Sequence, residues 1–194
     1  MLDKETKSWL QSVFKKEDLT IQEIHSLGIE LLQTHETISP ELFYELGRIH
    51  PDAGCELLKM ITSSQDDLTV RAGLVAGLVK KAYELAFLYA GERSQGGRLI
   101  KDWSLVQMML AEIFLKVELH EQLVRSGLSP AVALGILQES DGLVGQCMQV
   151  MGGAGYTEDY LVEKLFRHIH KLKNSPNPFA QVVMQFYRRE VLHL

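Results

Sequence analysis

The sequence predicts an all-α protein, an up-down antiparallel helical bundle preceded by short N-terminal helices. Apolar residues recur at helical spacing over long stretches, and no stretch alternates with period two for long enough to build a sheet. The prolines, Pro40, Pro51, Pro130, Pro176 and Pro178, fall between those stretches rather than inside them. With 194 residues, 46% of them hydrophobic, the chain can bury one full core without disulfide support.

Two short helices are expected within residues 3–35, where Thr20-Ile21-Gln22-Glu23 has the form of a capping box, and two more within 40–62. The polar string Ser63-Ser64-Gln65-Asp66-Asp67 then divides an N-terminal helical segment, 1–62, from a bundle over 63–194. The first long helix, 66–92, carries Leu68, Ala72, Val75, Val79, Ala82, Ala86 and Tyr89 on one face. Leu74, Leu78, Leu85 and Leu88 add a second apolar edge, so this helix is central. A second, 100–126, repeats the spacing with Trp103, Val106, Leu110, Ile113 and Val117. The third, 130–151, is lined by Leu137, Ser140, Val144, Cys147 and Met151, and Ser129 before Pro130 marks its start. A helix over 158–172 and a last one from 178, introduced by Asn177-Pro178, complete the set. Antiparallel neighbours of this kind cross at about 20°.

Charge and cysteine content narrow the function. Twenty Lys and Arg against twenty-five Asp and Glu give a net charge of −5, so no global positive field recruits nucleic acid or anionic lipid. Cys55 and Cys147 lie far apart and form no C-x-x-C pair. The start, Met1-Leu2-Asp3-Lys4-Glu5, lacks a secretory pattern, and no apolar run approaches the ~18 residues that would cross a bilayer. A soluble, cytoplasmic protein with no nucleic-acid partner and no membrane is expected.

Most catalytic signatures of helical proteins are missing. A di-iron bundle needs Glu-x-x-His on each of two facing helices, and the sequence lacks that pair, so no metal is expected. His-Glu-x-x-His, G-x-S-x-G and the phosphate-binding G-x-x-x-x-G-K are likewise absent. His168 and His170 stand two apart on different helix faces with no carboxylate partner evident. They belong to a basic run, Lys164, Arg167, His168, His170, Lys171 and Lys173, that reads as a solvated face or as an attractor of phosphates. Gly152-Gly153-Ala154-Gly155-Tyr156 reads as a tight interhelical turn, or as bare backbone amides that approach a phosphate closely. A helix, not a strand, precedes it, so no dinucleotide-binding Rossmann fold is implied.

Two blocks in order carry a resemblance. Glu92-Arg93-x-Gln95-x-Gly97-x-x-Ile100 followed by Val106-Gln107-x-x-Leu110-Ala111 is similar to a motif of the helical C-terminal domain of acyl-CoA dehydrogenases. Gln149-Val150-Met151-Gly152-Gly153-Ala154-Gly155-Tyr156, continuing through Tyr160, Glu163, Lys164 and Arg167, resembles a second. The similarity covers roughly residues 66–173, and the stretch Glu41 to Asp52 resembles the family's N-terminal helical domain more distantly. The family oxidises acyl-CoA to trans-2-enoyl-CoA: a carboxylate removes the α-proton and the β-hydrogen leaves as hydride to FAD. The resemblance implies that Arg93, Gln95, Gln149, Gly152 and Gly153 bind cofactor, meeting the diphosphate and adenosine of an FAD shared across a subunit interface. From the residues alone, Arg93 also reads as a helix C-cap or a surface ion-pair partner.

The departures set the functional expectation. Only about fifteen residues separate Asp52 from Leu68, which leaves no room there for the family's middle β-barrel. The family's usual catalytic Glu falls within Ser175-Pro176-Asn177-Pro178. An alternative base position falls on Asp67, which also reads as a helix N-cap, while Leu68 stands where that base's neighbouring Arg would be. Gly96 replaces a Phe that packs on the cofactor in the family. A shortened acyl-CoA dehydrogenase-like chain without its own base is therefore expected, acting as a partner subunit in a homo-oligomer or in a heteromer with a full-length homologue. Two readings stay open beside it: an active homo-oligomer using FAD, an acyl-CoA and Asp67, and a flavin-free interaction module.

Overall fold

The computed structural model describes residues 39–62, 68–175 and 179–193, with Ser12, Thr20 and Glu23 besides. The helices are α1 (Pro40–Ile49), α2 (Pro51–Thr62), α3 (Leu68–Glu92), α4 (Ser104–Ser126), α5 (Pro130–Met151), α6 (Leu161–Lys173) and α7 (Phe179–Glu190). This is the all-α bundle that the apolar spacing predicts. Two features differ. A two-stranded antiparallel hairpin, β1 (Ser94–Gln95) and β2 (Arg98–Leu99), follows α3, and the helix expected from residue 100 begins at Ser104 because Ile100–Asp102 form a 3-10 turn. A second 3-10 turn, Gly152–Tyr156, follows α5. Asp67, Asn177-Pro178 and the helices expected within 3–35 lie outside the described residues, but the capping box at Thr20 is seen. The Glu23 N–H donates to Thr20 Oγ1 at 3.3 Å, and the Thr20 N–H to Glu23 Oε2 at 2.9 Å.

The same capping chemistry starts α1 and α5. Ser39 Oγ accepts the Leu42 N–H at 3.2 Å and Ser129 Oγ accepts the Val132 N–H at 3.3 Å, each with proline in the first turn. Ser129→Ala is expected to lower stability by about 1 kcal/mol, read from urea unfolding followed by circular dichroism.

Helix α3 is the hub. Every residue from Val70 to Val79 is buried, and α1 and α5 both pack against the helix. Glycines permit the α1 crossing: a Cβ on Gly77 would stand 2.0 Å from the Tyr44 carbonyl oxygen, and one on Gly73 2.3 Å from that of Pro40. Phe43, Tyr44 and Leu46 of α1 therefore join the same core as Leu74 and Leu78 of α3, Ile113 of α4, Leu137 and Val144 of α5, and Leu165 of α6. Cys55 and Cys147 are buried free thiols pushed up to about 12 by desolvation, so they stay protonated and inert.

Polar contacts rim this core. The buried Tyr44 hydroxyl donates to Glu121 at 2.7 Å, and Arg125 bridges Glu121 at 2.8 Å and Glu45 at 3.0 Å, tying α1 to α4. Partial burial alone would raise the Glu121 carboxyl, but hydrogen bonds from Tyr44 and Arg125 and the charge of Lys80 outweigh it and hold the carboxyl below its usual range. Deeper in α4, burial penalises the imidazolium of His120 more than Glu139 of α5, 3.4 Å away, favours it, so this histidine titrates below the ordinary range. Lys116, hydrogen-bonded to Glu139, adds to the effect. The unfolded chain therefore takes up that proton first as pH falls, and stability is lost below about pH 6.5, where unfolded histidine titrates. Thermal melts between about pH 7.5 and 5.5 are expected to fall less steeply in His120→Gln than in the wild type.

Candidate functional site

The up-down order makes α3 and α5 parallel, so their C-terminal ends lie at one end of the bundle. Tyr89, near the end of α3, meets Tyr160, just beyond the glycine turn, edge-on with ring centroids 5.8 Å apart. The structure thus brings the Arg93-Gln95 block and the Gln149-Gly152-Gly153 block to the same end, although no hydrogen bond joins them among the described residues.

The hairpin fixes the first block. Gly96 and Gly97 take φ of 61° and 81°, the consecutive left-handed pair of a two-residue turn. The Arg93 N–H donates to the Tyr89 carbonyl at 2.9 Å, and the Arg93 carbonyl accepts from the Ile100 N–H at 2.8 Å. Its backbone is pinned on both sides while its side chain is exposed and has no carboxylate partner among the described residues. Gln95 is exposed and pairs in register with Arg98, so both side chains leave the same face of the hairpin.

Three glycines of the second block have three different causes. Gly152 caps α5 with φ 60° and ψ −140°, a conformation that side chains oppose. A Cβ on Gly155 would lie 2.6 Å from the Met148 carbonyl oxygen. Gly153 has neither constraint: it is exposed, its φ is ordinary, and nothing lies within 4 Å of where its Cβ would be. Gln149 is exposed one turn earlier on α5.

The basic run on α6 is largely neutralised within the chain. Lys164 meets Asp52 at 2.7 Å, His168 Nε2 meets the same carboxylate at 3.1 Å, Arg167 meets Glu163 at 2.8 Å, and Lys173 meets Asp141 at 2.7 Å. Burial alone would raise the Asp52 carboxyl, but Lys164 and His168 together hold it below the usual range. This corrects the expectation that His168 has no carboxylate partner: Asp52 lies on α2, 116 residues away in sequence, where no local pattern reveals it. Among the described residues no cluster of three or more His, Cys, Asp or Glu could hold a metal ion, and no helix is long and apolar enough to cross a membrane.

Fold and site together define a helical bundle domain that presents an unpaired arginine and a bare glycine turn at one end. No family model matches the chain. Over 123 residues it is 30% identical to the probable acyl-CoA dehydrogenase FadE25 of Mycobacterium tuberculosis, covering 56% of this chain and 32% of that protein. Over 173 residues it is 23% identical to the probable acyl-CoA dehydrogenase YdiO of Escherichia coli, covering 83% and 45%. A glutaryl-CoA dehydrogenase of Mycobacterium smegmatis, solved in complex with FADH2, superposes with a TM-score of 0.55 at 15% identity, covering 72% of this chain and 38% of that one. Over more than half of its length the chain is thus similar to acyl-CoA dehydrogenases, and it spans less than half the length of these curated relatives.

Proposed function

We propose that this chain contributes Arg93, Gln95, Gln149 and the Gly152-Gly153 backbone to the diphosphate and adenosine end of an FAD held mainly by a neighbouring subunit. The carrying observation is the pairing of an unneutralised arginine with Gly153, a glycine that the chain's own packing does not require. A guanidinium forks onto phosphate oxygens, and a backbone without Cβ admits close approach. The residues present therefore fit the group, and the M. smegmatis neighbour is a structure with the reduced flavin bound. When bound, FAD supplies the hydride acceptor; this chain's residues would hold its phosphates.

The same reading denies the chain a complete dehydrogenase site of its own. The position that aligns with the family's usual base falls within residues 175–178, a serine, two prolines and an asparagine, and none of these accepts a proton as a carboxylate does. The neighbouring subunit would be a second copy or a full-length acyl-CoA dehydrogenase. An exposed apolar face suits such pairing: Phe87 and Leu88 on α3 and Leu105, Met108, Leu115 and Leu119 on α4 all stand open to solvent.

FAD titration of the purified full chain, alone and mixed with a full-length acyl-CoA dehydrogenase depleted of flavin, tests the reading. Arg93→Ala is expected to weaken FAD binding at least tenfold, the scale of one lost charge-assisted contact of about 1.5–3 kcal/mol. A colourless assembly that takes up no FAD in either mixture overturns it.

A further inference from the structure

The hairpin holds a second arginine that no motif singles out. Arg98 places its guanidinium carbon over the Trp103 indole, 3.5 Å from the ring centroid. The indole reaches the turn as well, with Cζ2 3.3 Å from where a Gly96 Cβ would be. Trp103 thus occupies the space beside the side-chain-free turn while keeping 39% of its own surface open. Arg48, Arg125, Arg167 and Arg189 each lie against a glutamate. Arg98, like Arg93, has no carboxylate partner among the described residues. Arg188 also lacks one, but in a chain of net charge −5 Arg93 and Arg98 place two such arginines within one six-residue stretch.

We infer that Arg98, held over the Trp103 indole, is a second diphosphate-binding arginine, acting beside Gln95 on the same face of the hairpin. The inference rests on the proposed nucleotide site and adds to it a residue and a reason for its geometry. An exposed arginine normally gives up side-chain entropy to bind; one already stacked on an indole gives up less, and its edge N–H groups remain free to fork onto two phosphate oxygens. The ligand class is a diphosphate joined to adenosine, a chemistry that FAD and coenzyme A share.

Calorimetric titrations of the full chain with FAD, coenzyme A and riboflavin separate the possibilities, because riboflavin has the flavin ring and no phosphate. Arg98→Ala is expected to weaken FAD at least tenfold and Arg98→Lys at least threefold, since lysine keeps the charge but loses the planar fork. Trp103→Phe is expected to stay within twofold of the wild type, because phenylalanine keeps a ring under the guanidinium. Any riboflavin affinity and the melting temperature of Arg98→Lys are expected to be unchanged, which a merely structural stack would not predict. If both Arg98 variants bind FAD and coenzyme A like the wild type while Arg93→Ala loses FAD, the role of Arg98 is overturned and the flavin reading stands. If the Arg98 variants lose coenzyme A alone, the diphosphate role stands and the flavin reading falls. A wild-type chain that binds neither ligand, alone or mixed with a full-length acyl-CoA dehydrogenase depleted of flavin, overturns both.

Discussion

Gly77→Ala is expected to lower stability by about 3 kcal/mol or more, a fall in melting temperature of roughly 6–12 °C for a domain of this size. The added methyl would stand 2.0 Å from the Tyr44 carbonyl oxygen and 3.0 Å from the Arg48 backbone nitrogen, so it meets main chain that cannot rotate away. Relief would require α1 to lift from α3. That movement would strip Phe43 and Leu46 from the core and strain the bond from Tyr44 to Glu121. Gly135→Ala is the matched control, because its Cβ would enter open space on the exposed side of α5. There the same methyl is expected to add about 0.5–1 kcal/mol by removing the backbone entropy of a mid-helix glycine. Thermal melts of the two variants measure the contrast, and a Gly77→Ala protein that melts with the wild type would show that α1 does not cross α3 this closely.

That pair also shows where sequence reasoning reaches and where it stops. Spacing of apolar residues marks α3 as central, because two apolar edges on one helix leave little of it for solvent. It does not distinguish Gly77 from Gly135, since a glycine at a crossing and a glycine in open space look alike until the partner helix is in place. The hairpin after α3 escaped for a related reason: strands of two residues are too short to alternate. The Asp52 to His168 contact joins α2 to α6, which no local pattern connects. By contrast, the N-caps at Thr20 and Ser129 were legible because capping is decided within three residues. The candidate site stands between these cases: its residues were named by two sequence blocks, but only the parallel run of α3 and α5 brings those blocks to one end.

Gly153 and Gly155 are two residues apart and are expected to fail in opposite ways. Alanine at 155 places a methyl 2.6 Å from the Met148 carbonyl oxygen, and the turn must shift to accept it, at a cost of about 2 kcal/mol. Alanine at 153 meets nothing within 4 Å and needs no change of φ, so stability is expected to stay within about 0.5 kcal/mol. If Gly153 is bare so that a phosphate can approach its backbone, the same alanine removes that approach, and FAD affinity is expected to fall tenfold or more with the melting temperature unmoved. The ratio of the two effects is the informative quantity, because unfolding lowers affinity and stability together whereas obstruction lowers affinity alone. A Gly153→Ala protein that binds FAD as tightly as the wild type would return this glycine to the role of an ordinary turn residue, and would leave Arg93 and Arg98 to carry the phosphate contacts without it.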